Sequence, residues 1–129
     1  MITSELICHE QRHSIRKGDI FAVDLEPVKG AETGKVRPCV VILNDLGNQR
    51  SPVTIIACIT TTLRDSKGPI DVYLTARETG LQNDSRIMLN QIRTIDIARL
   101  GRRIGKVPDY KMIEIDHALH VSLGLQNCL

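Results

Sequence analysis

The chain has 129 residues, which is enough for one domain and too few for two of ordinary size. Hydrophobic residues make up 42%, charged residues make up 25%, and mean hydropathy is -0.08, so the composition excludes a disordered chain. A formal net charge of +2 does not by itself indicate nucleic-acid binding, and no apolar run approaches the ~20 residues that cross a bilayer.

The first residues are polar and precede the first strand pattern. We therefore expect an N-terminal extension over residues 1–15, followed by a single domain over residues 16–129. The opening Met1–His13 lacks the basic and apolar regions of a secretory signal, so the cytoplasm is the expected location.

Short β-branched runs separated by turn residues fill the first two-thirds of the chain. Pro38–Leu43 and Val53–Ile59 are continuously apolar, which is typical of strands that are buried on both faces. The other predicted strands are Asp19–Leu25, Asp71–Ala76, Arg86–Ile92 and Arg102–Val107.

Helix signals are concentrated towards the C-terminus. Thr94 or Asp96 is a candidate cap for a short turn that Gly101 closes. Pro108–Asp109 predicts the start of a longer helix, in which apolar residues recur at helical spacing as far as Leu125. That stripe suits core packing or a dimer face. About six strands and a terminal helix predict a mainly β fold, in the form of a small, strongly bent β-barrel.

Two short motifs resemble catalytic or nucleotide-binding patterns. His9-Glu10-Gln11-Arg12-His13 matches H-E-x-x-H, in which two histidines bind zinc and the glutamate acts as a base. However, the segment is polar and has no apolar face or recognisable third ligand. Gly30–Val36 resembles a phosphate-binding loop, but it is one residue too short between its glycines and lacks Ser or Thr after Lys35. We therefore expect no metalloprotease, no P-loop, and no metal or other cofactor.

Other reactive residues give weaker signals. The cysteines at 8, 39, 58 and 128 are widely spaced without a C-x-x-C pair, so we expect reduced thiols. His117 and His120 share the terminal helix and are expected to be solvated or to face a partner. A basic cluster fits a phosphate-facing patch and a solvated face equally well. Its members are Arg99, Arg102, Arg103 and Lys106.

Several segments, in their order along the chain, resemble the MazF/PemK toxin family. The resemblance covers roughly residues 15–125, and the ordered set carries more weight than any one segment. The matched segments are Arg16-Lys17-Gly18-Asp19-Ile20, Gly34-Lys35-Val36-Arg37-Pro38-Cys39-Val40-Val41, Leu43-Asn44-Asp45, Ser51-Pro52, Ala57-Cys58-Ile59-Thr60, Asp84-Ser85, Leu89-Asn90-Gln91-Ile92-Arg93-Thr94-Ile95-Asp96, Asp116-His117-Ala118-Leu119 and Leu123-Gly124-Leu125.

The resemblance implies a homodimeric SH3-like barrel of about six or seven strands, shared with the gyrase poison CcdB. It also implies sequence-specific, metal-independent cleavage of single-stranded RNA and neutralisation by a small antitoxin. The family's catalytic arginine, threonine and loop glutamate fall on Arg37, Thr60 and Glu32. Asn90 departs from relatives with an acidic residue there, which affects the expected base preference. The RNA-binding candidates are Lys35, Asn44, Asn48, Ser51, Ser85, Gln91 and Arg93.

The implied chemistry uses the RNA 2′-OH as nucleophile and leaves a 2′,3′-cyclic phosphate. Arg37 suits phosphate binding, Thr60 suits orientation of an oxygen, and Glu32 is the candidate base. Two alternatives are a CcdB-like protein that binds gyrase and a catalytically silent interaction domain of the same fold. The first does not need Arg37 and Thr60, and the presence of all three residues argues against the second.

Overall fold

The computed structural model describes residues 15–25, 30, 35–64 and 68–125. The strands in these residues are β1 (Asp19–Asp24), β2 (Val36–Val41), β3 (Val53–Thr60), β4 (Asp71–Leu74), β5 (Ser85–Asp96) and β6 (Leu100–Lys106). They form one antiparallel sheet in the order β4-β5-β3-β2-β1-β6. The predicted mainly β fold with a C-terminal helix is therefore confirmed.

The helical elements in the same residues are α1 (Asp45–Arg50), α2 (Ala76–Thr79), a 3-10 turn (Ile97–Arg99) and α3 (Asp109–Ser122). Asp96 Oδ1 accepts a hydrogen bond from Ala98 N at 2.8 Å, which confirms Asp96 as a cap. The start of α3 after Pro108 was also predicted, whereas α1 and α2 were not. In the described part of the chain, every helix is too short or too polar to cross a membrane.

The sheet buries side chains on both faces because consecutive residues of a strand point to opposite sides. In β2, Val40 joins the hydrophobic cluster beneath α3, whereas Cys39 and Val41 join the cluster on the other face. Ile115 and Ala118 are the buried residues that attach α3 to the first cluster. The strands predicted from continuous apolar runs are thus buried on both faces, as expected.

Strand β5 bends where its pairing with β3 changes register. Ala57 pairs with Ile92, whereas the next residue, Cys58, pairs with Met88. Residues 89–91 therefore form a bulge without Cα partners in β3. Such a bulge bends the strand and increases its local twist. It also allows β5 to continue as far as Asp96, beyond the end that the sequence predicted.

The described residues form an open sheet and not a closed barrel. Strands β4 and β6 each pair with one neighbour and are the two edges of the sheet. The end of α2 packs against β6 so closely that a Cβ on Gly105 would lie 1.8 Å from Thr79 O. Strand β4 is short and is followed closely by α2. Helix α2 therefore contacts β6 where pairing between β4 and β6 would be needed to close a barrel.

Candidate functional site

Two of the three predicted catalytic residues, Arg37 and Thr60, lie near the ends of adjacent strands. The β2–β3 ladder includes the pair Cys39 and Cys58. Arg37 precedes Cys39 by two residues in β2 and Thr60 follows Cys58 by two in β3, both beyond the last pair of this ladder. Because alternate residues of a strand share a face, Arg37 lies on the face of Cys39 and Thr60 on the face of Cys58. Both then project from the same face of the sheet. Arg37 is exposed and Thr60 is partly exposed, so solvent reaches both side chains.

The hydroxyl of Thr60 is held by a local backbone contact. Thr60 Oγ1 accepts a hydrogen bond from Thr62 N at 3.2 Å. That bond uses one lone pair and leaves the hydroxyl proton and a second lone pair for another partner. The group can therefore bind a phosphoryl oxygen or a ribose hydroxyl at the strand end.

A pair of buried thiols lies next to these residues on the same face. The hydrogen bond with Cys58, together with burial, raises the pKa of the Cys39 thiol, and the same hydrogen bond lowers the pKa of Cys58. The positive charges of Arg93 and Arg37 act on both thiols in the direction that lowers their pKa. Both cysteines are free thiols in the structure. Two guanidinium groups thus place positive charge on one small area of the sheet.

Arg93 and Lys35 are both linked to the end of β1. Arg93 Nη1 donates a hydrogen bond to Leu25 O at 2.9 Å, and Leu25 N donates to Lys35 O at 3.0 Å. Lys35 has a φ of 64°, a left-handed conformation that costs a non-glycine residue about 1–2 kcal/mol. Its side chain is exposed, while Arg93 and Gln91 on β5 are partly exposed. These three candidates therefore remain accessible to a ligand.

The turn between β2 and β3 carries two candidates with structural hydrogen bonds. Asn44 Oδ1 accepts from Gly47 N at 2.8 Å and caps α1, and Ser51 Oγ accepts from Val53 N at 3.1 Å. Asn44 is exposed and Ser51 is partly exposed. Each therefore fixes the turn and still reaches solvent.

Asn48 is a correction to the predicted RNA-binding set. Its side chain has 0% relative exposure. Asn48 Nδ2 donates to Leu43 O at 2.9 Å, and Thr54 Oγ1 donates to Asn48 Oδ1 at 2.7 Å. A fully buried amide whose donor and acceptor are both used inside the turn cannot contact RNA, so its role is structural.

Ser85 lies at an open cavity of about 530 Å³, which Arg37 also lines. Ser85 is buried, and its Oγ donates to Asn83 O at 2.8 Å. Sequence reasoning gave no role to the neighbouring Gln82 and Asn83, and it named Arg102 only as one of a basic cluster. All three line this cavity. The basic cluster was a usable signal for Arg102, whereas two amide residues in a polar turn have no distinguishing pattern.

Several predictions lie outside the described residues. Glu32, the H-E-x-x-H segment with His9 and His13, and the cysteines Cys8 and Cys128 are all in this category. Among the residues that the structure describes, there is no group of three or more His, Cys, Asp or Glu side chains placed to hold a metal ion.

The architecture matches solved structures of known toxins. A mycobacterial structure described as an endoribonuclease in complex with its cognate antitoxin aligns with a TM-score of 0.73 and 23% identity, covering 88% of this chain and 98% of that one. The MazF structure from Deinococcus radiodurans aligns with a TM-score of 0.71 and 22% identity, covering 85% and 96%. At these identities the likeness establishes the fold alone.

Sequence comparison identifies the family. Residues 16–123 match the model of the PemK-like, MazF-like toxins of type II toxin–antitoxin systems. The chain is also 47% identical over 113 residues to the Endoribonuclease MazF of Staphylococcus epidermidis, which covers 88% of this chain and 94% of that protein. The fold and sequence therefore define a toxin of a type II toxin–antitoxin system, and the chain belongs to its PemK-like, MazF-like family. Its enzyme class is endoribonuclease, as the sequence resemblance predicted.

Proposed function

We propose that this toxin cleaves single-stranded RNA at specific sequences, without a metal ion, by attack of a ribose 2′-OH on the adjacent phosphorus. The observation that carries the proposal is the placement of Arg37 and Thr60 on one face, at the ends of β2 and β3. In this reaction the new bond joins the 2′-oxygen to phosphorus, and the bond from phosphorus to the 5′-oxygen breaks. A 2′,3′-cyclic phosphate and a 5′-hydroxyl result.

Arg37 is proposed to stabilise the charge that develops on the phosphoryl oxygens. Its planar guanidinium stays protonated and can donate two parallel hydrogen bonds to a phosphate. A positioned donor of this kind typically lowers the barrier by about 3–4 kcal/mol. Arg93, on the same face, adds positive charge near the same position.

Thr60 and Glu32 are proposed to divide the remaining tasks. The Thr60 hydroxyl would orient the 2′-OH or a phosphoryl oxygen, because it is held at the strand end with its proton unused. An arginine side chain keeps its proton at neutral pH and so cannot serve as the base. Glu32, which lies between β1 and β2 in the sequence, is therefore the proposed general base.

Base recognition is proposed to involve the side chains around this face. Lys35, Gln91 and Arg93 are candidates for contacts from the sheet and its preceding loop, and Asn44 and Ser51 are candidates from the β2–β3 turn. Ser85 is a further candidate at the edge of the neighbouring cavity. Amide, hydroxyl and guanidinium groups suit hydrogen bonding to the edges of unstacked bases.

The proposed partners follow from the family and from the outer surface of α3. The mycobacterial relative is described in complex with its cognate antitoxin, and we propose that a small antitoxin likewise binds this chain. We also propose a homodimer that uses an exposed apolar stripe on α3, formed by Tyr110, Ile113 and Val121. The cytoplasm, where transcripts and an antitoxin meet the enzyme, is the proposed location.

The test is cleavage of a long single-stranded RNA by the purified, antitoxin-free protein in excess EDTA. We expect discrete cuts that end in 2′,3′-cyclic phosphates. Arg37→Ala should lower kcat by roughly 100- to 1,000-fold without unfolding the protein, since an exposed arginine contributes little stability. Arg77→Ala, an exposed arginine in α2, is the matched control and should cleave normally.

Two results would contradict this proposal. Full activity of Arg37→Ala would remove Arg37 from the mechanism. No cleavage of several RNAs by the folded wild-type protein would leave a binding-only toxin, such as one that binds gyrase.

A further inference from the structure

A cavity at the end of β2 that carries Arg37 has the chemistry of an anion-binding site. It has a volume of about 530 Å³ and lies between β2, the segment that follows α2, and β6. Arg37 and Arg102 line it, and none of its lining residues in the described ranges is Asp or Glu. Two guanidinium groups in one wall favour a ligand that carries negative charge.

Arg102 differs from its neighbour in what its guanidinium contacts. Arg103 Nη2 lies 2.9 Å from Asp19 Oδ1, so its charge is used in an ion pair with a nearly buried carboxylate. Arg102 is exposed and makes no hydrogen bond or ion pair with any residue in the described part of the chain. All of its donors therefore face the cavity or solvent and are available to a ligand.

The other lining groups suit a nucleobase better than a peptide backbone or a free phosphate ion. Pro38, Leu81 and Ile104 present apolar surface against which a planar ring can pack. Gln82 and Asn83 add amide side chains that can donate to or accept from the edge of a base. An apolar wall, amide groups and two flanking cations together match one nucleotide with a phosphate on each side.

We propose that this cavity holds the nucleotide adjacent to the scissile phosphate, and that Arg102 binds the phosphate on the far side of that nucleotide. Arg37 lines the same cavity and holds the scissile phosphate on the near side. The inference rests on the proposed role of Arg37. It makes Arg102 a substrate-binding residue that fixes the register of the RNA strand.

The experiment measures kcat/KM for a short RNA that contains the mapped cut site, across a series of salt concentrations. Arg102→Ala should lower kcat/KM about tenfold, because a charge-assisted hydrogen bond to phosphate is lost. It should also reduce the slope of log(kcat/KM) against log[salt] by about 0.7, the contribution of one phosphate contact in a single strand. Lys106→Ala, on the same strand but outside the cavity, should leave the slope unchanged.

Binding of the same RNA separates this inference from the proposed function. In the Arg37→Ala background, adding Arg102→Ala should weaken binding and reduce the salt slope further, whether or not the wild-type protein cleaves. The inference would be overturned if Arg102→Ala kept the kcat/KM and the salt slope of the wild-type protein. It would also be overturned if Arg102→Ala weakened antitoxin binding and left RNA binding unchanged. Thermal unfolding of Arg102→Ala should match the wild-type protein, because the side chain is exposed.

Discussion

A single buried amide controls the turn that presents two of the proposed RNA contacts. Asn48 joins Leu43 at the start of the turn to Thr54 in β3 through hydrogen bonds of its side chain. Asn44 and Ser51 lie between Leu43 and Thr54 in the sequence, and the side chains of both reach solvent. Asn48 therefore holds in place the turn that carries these two proposed RNA contacts.

We predict that Asn48→Ala lowers the free energy of unfolding by about 1–3 kcal/mol, because the Leu43 carbonyl and the Thr54 hydroxyl lose their buried partner. Urea unfolding monitored by circular dichroism measures the change. Gln49→Ala, at the next and exposed position of α1, should change the free energy by less than about 0.5 kcal/mol. Wild-type stability of Asn48→Ala would show that these hydrogen bonds do not hold the turn.

Residue types alone could not separate the functional from the structural members of the candidate site. The ordered family segments located Arg37 and Thr60, whose placement follows from simple strand register. Arg102 and Arg103 are adjacent and equally basic, and the β1–β6 pairing shifts register twice, so strand alternation does not predict which one meets Asp19. Asn48 was misassigned because a polar residue in a turn gives no sign of being buried.

At the scale of elements, α2 is a four-residue helix that depends on its cap. Thr75 Oγ1 accepts from Glu78 N at 3.2 Å, and Thr75 N donates to Glu78 Oε2 at 2.7 Å, which completes a capping box. Tyr110, in the first turn of α3, donates its phenolic hydrogen bond to Glu78. The Glu78 carboxylate therefore joins α2 to α3.

We predict that this carboxylate makes stability depend on pH. The hydrogen bond from Tyr110, and then that from the Thr75 backbone, lower the pKa of Glu78 below its ordinary value. A lowered folded pKa stabilises the fold fully above the ordinary carboxyl pKa of about 4.3, and the contribution is lost as pH falls through the folded value. Glu78→Gln should therefore lower Tm at neutral pH, with a difference from wild type that narrows in acid.

Thermal unfolding of both proteins between neutral and acidic pH measures this effect. Tyr110→Phe removes the larger of the two causes that lower the pKa of Glu78, while Thr75 keeps its own bond to Glu78. The Tm difference between wild type and Tyr110→Phe should therefore also narrow in acid, by most of the amount expected for Glu78→Gln. A Tm difference between wild type and Glu78→Gln that stayed constant through the acidic range would contradict the proposed origin.

The sequence predicted long elements better than short ones. Strands β2 and β3 have continuous apolar runs, and α3 has apolar residues at helical spacing. Burial of these elements is therefore visible as a hydrophobic pattern in the sequence of each. Helices α1 and α2 have only six and four residues, too few for hydrophobic periodicity to separate them from turns. Strand β5 was predicted to end at Ile92, whereas its pairing with β3 continues to Asp96.

Across the whole molecule, a buried ion pair ties the β4 edge to the strand end that carries Thr60. Arg86 Nη1 lies 3.0 Å from Asp71 Oδ1, and both side chains are buried. Arg86 also pairs with Thr60 in register and donates through Nε to Thr62 O at 3.0 Å. Contacts of this range, like the packing of α2 on β6, join residues far apart in sequence. For that reason the sequence indicated a strongly bent sheet and did not reveal how its edges meet.

The outer surface of α3 leaves several apolar side chains uncovered. Tyr110, Ile113 and Val121 are 62%, 72% and 37% exposed, and Ile113 lies on the side opposite the buried Ile115 and Ala118. Because exposed apolar stripes mark association surfaces, we proposed a homodimer through this face.

We predict that Ile113→Glu converts the dimer to a monomer in analytical ultracentrifugation, since a charge in the centre of an apolar contact must be desolvated without a partner. Gln49→Glu places the same charge on exposed α1 and should leave the dimer intact. A dimer that survives Ile113→Glu would assign the interface to another surface. Cleavage by a monomeric Ile113→Glu would in addition show that one copy holds a complete site, whereas loss of cleavage in a folded monomer would show that the RNA path crosses both copies.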